Sequence, residues 1–161
     1  MRKPTKGASK RRTKAASEGI APLSQTAEYA LRAMTRLAQP GDTQALRATE
    51  ISADTRVPVH YLSKVLRRLV GAGLLVSQKG HGGGFTLARP AAEIRFADVL
   101  EAMGEAPATG RCAFGWGNCD SRNPCPLHPA WTVLNDALQA WAGKTTLADV
   151  SVRSLLRKRR A

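Results

Sequence analysis

The chain has 161 residues, 43% of them hydrophobic, and a formal net charge of +13 at pH 7. This length fits one small globular domain with an appendage, and the hydrophobic fraction excludes a chain that is disordered throughout. No apolar run approaches the ~20 residues of a membrane-spanning helix, and no apolar segment follows the basic N-terminus as it would in a secretory signal. We therefore expect a cytoplasmic protein without a membrane anchor.

The positive charge is concentrated in three segments. Residues 1–22 hold seven bases and one acid, residues 153–161 hold five bases and no acid, and residues 47–89 hold seven bases and two acids. We expect residues 1–22 to form a disordered basic tail and residues 151–161 to form a second basic tail, both serving solubility more than DNA contact. The central basic segment has the electrostatic character of a phosphate-binding face.

Three helices are predicted at the start of the ordered region. Helix 1 begins after a cap at Ser24 or Thr26, because apolar residues then recur at steps of three and four. A shorter helix follows Thr49, and a third helix has Pro58 in its first turn. The close succession of the second and third helices indicates a tight turn between them.

The third helix has an apolar stripe and a basic outer face. The stripe comprises Tyr61, Leu62, Val65, Leu66, Leu69 and Val70. The outer face carries His60, Ser63, Lys64, Arg67 and Arg68. Two short helices joined by a tight turn, the second basic on its outside, predict a helix-turn-helix. The alternative is an ordinary helix pair with a solvated basic face.

A β-hairpin is predicted after the third helix. Residues 74–78 and 85–88 have strand character, and Lys79 with four glycines lies in the turn between them. This hairpin is typical of a wing, in which Lys79 contacts a phosphate or the minor groove. The turn lacks the G-x-x-x-x-G-K-[ST] pattern, which argues against a nucleotide-binding loop. A fourth helix is predicted over residues 91–104.

All three cysteines lie within fourteen residues and are followed by a histidine. Cys112, Cys119, Cys125 and His128 have the spacing C-x6-C-x5-C-x2-H in a polar loop over residues 105–128. In a reducing compartment, clustered thiols are metal ligands or redox groups more often than disulfides. The donor set suits an iron–sulfur cluster or zinc, and direct thiol oxidation is a third option. For His128 alone, capping of the next helix is the alternative.

A fifth helix is predicted from Pro129 to Gly143. Its broad apolar face comprises Trp131, Val133, Leu134, Ala137, Leu138, Ala140 and Trp141. One small domain cannot cover a face of this breadth, so the helix is predicted to pack against a second copy in a homodimer.

The combined pattern resembles the Rrf2 family of bacterial transcription regulators. The resemblance rests on LSQTAEYALRAM, on VPVHYLSKVLRRLVGAGLLVSQKGHGGGFTLARPAAEIRFADVLEAM and on the cysteine loop with CPLHPAW, and it covers about residues 23–150. It implies a fold that is mainly α with a small β wing, a winged helix-turn-helix plus a long dimerisation helix. It also implies a homodimer and, commonly, an iron–sulfur cluster that tunes DNA binding.

The resemblance implies two alternative ligand sets. In the first, His128 completes the three cysteines around a 2Fe–2S cluster, which we favour. In the second, Glu28 of the partner subunit is the fourth ligand and suits a 4Fe–4S cluster, although an ordinary surface role is the alternative for this carboxylate. Replacing one thiolate by imidazole or carboxylate leaves a more labile centre, which suits a sensor.

These patterns predict a winged helix-turn-helix over residues 23–90, followed over residues 91–150 by the cysteine loop and the dimerisation helix. Helix 3 would enter the major groove of double-stranded DNA at a near-palindromic operator. Base contacts are assigned to His60, Ser63 and Lys64, and phosphate contacts to Arg67, Arg68 and Lys79. The cluster would sense iron, redox state, nitric oxide or cluster supply. The alternative is a zinc-stabilised or cluster-free thiol-redox repressor of the same fold, and no catalytic constellation indicates an enzyme.

Overall fold

The computed structural model describes residues 23–39, 44–80, 82–105, 112 and 117–150. Within these ranges the chain is mostly helical with one small antiparallel sheet, as predicted. The helices are α1 Gln25–Leu37, α2 Ala48–Thr55, α3 Val59–Gly71, α4 Phe96–Ala102 and α5 His128–Lys144, and the strands are β1 Leu75–Gln78 and β2 Gly84–Leu87. Short 3-10 helices span Ala91–Glu93 and Leu147–Asp149. The predictions for the two basic tails and for the wing tip at position 81 lie outside the described residues.

Helix α1 is the element around which the others pack. The Ser24 hydroxyl accepts a hydrogen bond from the Ala27 N–H at 3.3 Å, which confirms the predicted cap at Ser24. Helix α1 contacts α2, α3, α4 and β2. Its buried face comprises Ala27, Ala30, Ala33, Met34, Thr35 and Leu37. The small alanines on this face let neighbouring helices approach α1 closely.

The turn between α2 and α3 has the geometry of a helix-turn-helix. Arg56 ends α2 in the left-handed region with φ of 58°, and the Ser52 hydroxyl donates to the Val57 carbonyl at 2.6 Å. Pro58 lies just before α3 and not within its first turn, because it occupies the cap position. Helix α2 begins at Ala48, slightly earlier than predicted, since the Arg47 N–H donates to the Glu50 carboxylate at 2.6 Å and fixes the start.

The predicted wing is confirmed as an antiparallel pair. Strands β1 and β2 pair from Leu75 opposite Leu87 to Gln78 opposite Gly84. Leu46 joins the outer side of β2 through two backbone hydrogen bonds with Phe85, at 3.1 and 2.8 Å. A Cβ atom at Gly84 would lie 2.5 Å from the Leu46 carbonyl oxygen, so this approach requires glycine.

The single helix predicted over residues 91–104 is wrong, because the chain breaks at Ile94. A 3-10 turn precedes Ile94, whose backbone is extended (φ −108°, ψ 109°) and whose side chain is fully buried. The Ile94 carbonyl accepts from the Leu147 N–H, and the Phe96 N–H donates to the Thr145 carbonyl, both at 2.9 Å. The segment that follows α5 therefore binds the chain just before α4 and prevents a continuous helix.

The core is one cluster that includes residues from all described helices. In α3 the buried side chains are Leu62, Val65, Leu66 and Leu69, which agree with most of the predicted stripe. Residues from α4 and the following turn add Phe96, Val99, Leu100 and Met103. Of the described residues of α5, Ala142 alone is fully buried, so α5 lies largely outside this core.

Candidate nucleic-acid interface and metal centre

The polar face of α3 points away from the core. His60, Lys64, Arg67 and Arg68 are exposed, and Ser63 is half-buried with its hydroxyl donating to the Val59 carbonyl at 2.9 Å. The structure thus presents the predicted residues of this face on one helix surface. The turn at Arg56 separates α3 from α2, as in a helix-turn-helix.

Tyr61 was predicted in the apolar stripe of α3, but its side chain is 41% exposed. The centroid of its ring lies 4.3 Å from that of His60 and 6.2 Å from that of Tyr29 on α1. The Arg32 guanidinium carbon lies 5.9 Å from the centroid of the Tyr29 ring. An aromatic and cationic row therefore continues the polar face of α3 onto α1. Periodicity alone missed it, because Tyr61 lies at the edge of the stripe and its hydroxyl favours water.

Arg68 differs from the other bases of α3 in where its side chain goes. A Cβ atom at Gly104, just after α4, would lie 3.9 Å from the Arg68 guanidinium nitrogen. The guanidinium therefore reaches back toward the carbonyl end of α4, where a positive charge is favourable.

Lys79, just after β1, is exposed as predicted. The helix-turn-helix, its exposed basic helix and the adjoining wing define a winged-helix DNA-binding protein.

The Cys119 thiol lies within electrostatic reach of both other cysteine thiols. Burial raises the pKa of the Cys119 thiol, and the neighbouring Cys112 and Cys125, together with a side-chain hydrogen bond to Cys112, raise it further. The Cys112 N–H donates to the Gly117 carbonyl at 2.9 Å, so the backbones of these two residues are in contact. Mutual repulsion of three thiolates is the situation that a bound cation relieves, so the chemistry of this donor set fits a soft metal centre.

The described part of the chain does not form a closed coordination sphere. Among the described residues, no group of three or more His, Cys, Asp or Glu side chains is arranged to hold a metal ion. His128 is the first residue of α5, and its N–H donates to the Cys125 carbonyl at 3.0 Å. Leu127 occupies the cap position of α5 without a side-chain hydrogen bond, and both metal ligation and helix capping by the His128 imidazole stay predictions.

Glu28 lies in the first turn of α1 and pairs with Arg32 at 3.2 Å within the same helix. This ion pair is the kind of ordinary surface role that was the alternative to metal ligation for Glu28. Its use as a ligand by the other subunit stays a prediction.

Helix α5 exposes large apolar side chains. Val133 is 71% exposed and Leu134 is 56% exposed, and Leu127 and Trp141 are exposed as well. Trp141 also touches the core, since its ring meets that of Phe96 edge-on with centroids 5.3 Å apart.

In the described ranges no helix is long and apolar enough to span a membrane.

Comparison with known proteins identifies the family. The sequence profile of Rrf2, described as iron-dependent transcriptional regulator, matches residues 23–153. The chain therefore belongs to the Rrf2 family and is a DNA-binding transcription regulator, not an enzyme. The resemblance stated from the sequence is thereby confirmed.

Individual relatives agree with this assignment. The chain is similar to a candidate HTH-type transcriptional regulator of Neisseria meningitidis serogroup A, with 32% identity across 80% of this chain and 86% of the relative. It is also similar to IscR of Cronobacter sakazakii, with 30% identity across 80% of this chain and 78% of IscR. The structure of CymR, the global cysteine regulator of B. subtilis, superposes with a TM-score of 0.67 and 21% identity over 83% of this chain and 98% of CymR. At this identity the likeness to CymR shows the fold alone.

Proposed function

We propose that the chain is a homodimeric regulator whose affinity for its operator follows the state of an iron–sulfur cluster in the cysteine loop. The observation that carries this proposal is the occurrence of three cysteines and a histidine within seventeen residues, in a winged-helix chain whose family is described as iron-dependent. Because a cluster responds to iron supply, oxidants and nitric oxide, it would give the DNA-binding domain a chemical input. The regulator would act in the cytoplasm, where the bacterial chromosome lies.

We assign base contacts to His60, Ser63 and Lys64, near the N-terminal end of α3. The exposure of His60 and Lys64, and the helix surface that all three share, support a position in the major groove, where donors and acceptors can meet base edges. Arg67 and Lys79 would neutralise phosphates. Arg68 is assigned to a phosphate as well, although its guanidinium also lies near the end of α4.

The proposed dimer uses α5 as its seam. Exposed Val133 and Leu134 support this assignment, because a second copy would remove them from water. A two-fold axis between the copies would place two α3 helices on the same side of the dimer. The operator would then be a near-palindrome of double-stranded DNA with two half-sites.

Cys112, Cys119 and Cys125 would hold the cluster, and His128 would be the fourth ligand of the favoured 2Fe–2S form. The hydrogen bond from His128 to Cys125 keeps these two residues adjacent and so supports this choice. The alternative is a 4Fe–4S cluster with Glu28 of the partner subunit as the fourth ligand, and this requires Glu28 to leave Arg32. When bound, the cluster supplies redox and ligand-exchange chemistry at the loop.

A second candidate is a thiol-based repressor of the same fold. The hydrogen bond between the Cys112 and Cys119 side chains favours it, because two thiols in contact can be oxidised to a disulfide by a peroxide. The lack of a closed three-donor group among the described residues is compatible with the same candidate. Zinc in place of the cluster would give a structural loop without redox chemistry.

The metal content of protein purified without air separates these candidates. We expect a coloured protein with about two iron and two sulfide ions per chain for the Cys3His form. A 4Fe–4S cluster would give about four of each. Colourless protein with about one zinc per chain would establish the zinc form, and metal-free protein with an oxidisable thiol pair would establish the thiol switch. Either colourless result would contradict the iron–sulfur proposal.

A further inference from the structure

The carboxylate of Glu105 holds the start of α1. The backbone N–H of Ser24 donates to Glu105 Oε2 at 3.2 Å, and the Ser24 hydroxyl donates to Glu105 Oε1. Glu105 is the residue after which the chain leads to Cys112, seven positions later. This pair of hydrogen bonds therefore joins the entrance of the cysteine loop to a helix 81 positions away in sequence.

Ser24 has two roles at this contact. Its hydroxyl donates to Glu105 and also accepts from the Ala27 N–H at 3.3 Å, so the same side chain caps α1. A change in the position of Glu105 therefore acts directly on the cap of α1.

The backbone of Glu105 is fixed on its other side by α4. The Glu105 N–H donates to the Leu100 carbonyl at 2.9 Å, and the Gly104 N–H donates to the Glu101 carbonyl at 2.8 Å. Gly104 has φ of +75°, the left-handed conformation that commonly ends a helix. Glu105 is consequently the point where α1, α4 and the cysteine loop meet.

The opposite end of α1 is tied to the helix-turn-helix. Arg36 Nε, in the last turn of α1, lies 2.5 Å from Asp54 Oδ2 on α2. Between Ser24 and Arg36, α1 is one uninterrupted helix packed against α3. The first turn of α1 is thus linked through one helix to both helices of the DNA-binding motif.

We propose that Glu105 is a positioning residue that couples the ligand state of the cysteine loop to the helix-turn-helix, by holding or releasing Ser24 at the start of α1. This inference rests on the proposed cluster-dependent DNA affinity and names the contact that transmits it. The contact has two arrangements, bonded and released. A ligand in the loop shifts their balance only by favouring one of them.

The test uses full-length protein, prepared with its metal and after chelation, and the duplex that the protein selects from genomic fragments. For the wild type we expect the two affinities to differ by about tenfold or more. Glu105→Ala removes both hydrogen bonds and should bring the two affinities to within about twofold. The matched control, Glu101→Ala, removes an exposed carboxylate one turn earlier on α4 and should keep the wild-type difference.

A second variant separates coupling from helix capping. Ser24→Asp keeps an oxygen that accepts from the Ala27 N–H, but it removes the hydroxyl donor and places a like charge against Glu105. We expect it to lose the metal-dependent difference as Glu105→Ala does, and the double variant to lose no more than either alone. Amide hydrogen exchange in the first turn of α1 gives a readout without DNA: exchange should differ between metal-bound and metal-free wild type, and should not differ in Glu105→Ala.

The outcomes distinguish this inference from the function on which it rests. Equal affinities of metal-bound and metal-free wild type would overturn the cluster-dependent switch itself. A wild-type difference that survives in Glu105→Ala would overturn the role of Glu105 and leave the switch intact. Loss of metal from Glu105→Ala would also overturn it, because Glu105 would then hold the metal loop together and not transmit its state.

Discussion

Single residues fix the places where this fold turns or makes close approaches. Arg56 adopts a left-handed backbone between α2 and α3, although no glycine stands there. Gly84, in contrast, is required by contact, since a side chain would collide with the Leu46 carbonyl across the sheet. Sequence alone predicted a glycine-rich wing. It did not show which glycine is required by a close backbone contact. That contact is made with Leu46, 38 positions earlier in the chain than Gly84.

Gly84→Ala tests this contact. The added Cβ atom would lie 2.5 Å from a backbone oxygen, so the wing has to shift away from Leu46. We expect a loss of about 1–3 kcal/mol in the free energy of unfolding, measured by chemical denaturation. The control is Gly71→Ala at the end of α3, where nothing lies within 4 Å, and it should be neutral or stabilising. Equal effects of the two substitutions would show that the wing does not depend on this close approach.

At the scale of elements, the sequence predicted a helix in each region where an α-helix is described, but it did not give all the bounds. The stripe of α3 was predicted almost correctly because one face packs on α1. The region of α4 was predicted as one helix because the residues 91–104 favour helix locally. The break at Ile94 arises from backbone hydrogen bonds to residues 145–147, and a local pattern carries no information about them. The candidate site shows the same contrast between local and distant information. The cysteine spacing indicated a metal loop, but the contact of Glu105 with Ser24 joins residues 81 positions apart and could not be predicted from the sequence.

The proposed role of α3 is tested by Lys64→Ala. Lys64 is exposed on the outer face, so its removal should leave the fold intact and weaken binding to the selected operator by about 1–3 kcal/mol. Binding to unrelated duplexes should change much less. Lys144→Ala, at the end of α5, removes the same charge away from this face and is the matched control. If Lys64→Ala and Lys144→Ala bind the operator alike in a mobility-shift titration, α3 does not contact bases through Lys64.

At the scale of the whole molecule, one core carries two exposed surfaces, one basic and one apolar. The basic face of α3 is presented on one element and the apolar side of α5 on another, and α4 contacts α1, α3 and α5. Helix α5 contributes little to the core of one chain, which is expected of a helix that packs against a second copy. The proposed role of the cysteine loop therefore requires that its state reach α3 through these packed helices.

The most direct test is the operator affinity of one protein preparation before and after removal of its metal, at fixed salt and without air. Iron and sulfide are counted in the same samples. The proposed function predicts that iron-containing and iron-free protein differ in dissociation constant by about tenfold or more. Equal dissociation constants for the two forms would contradict it.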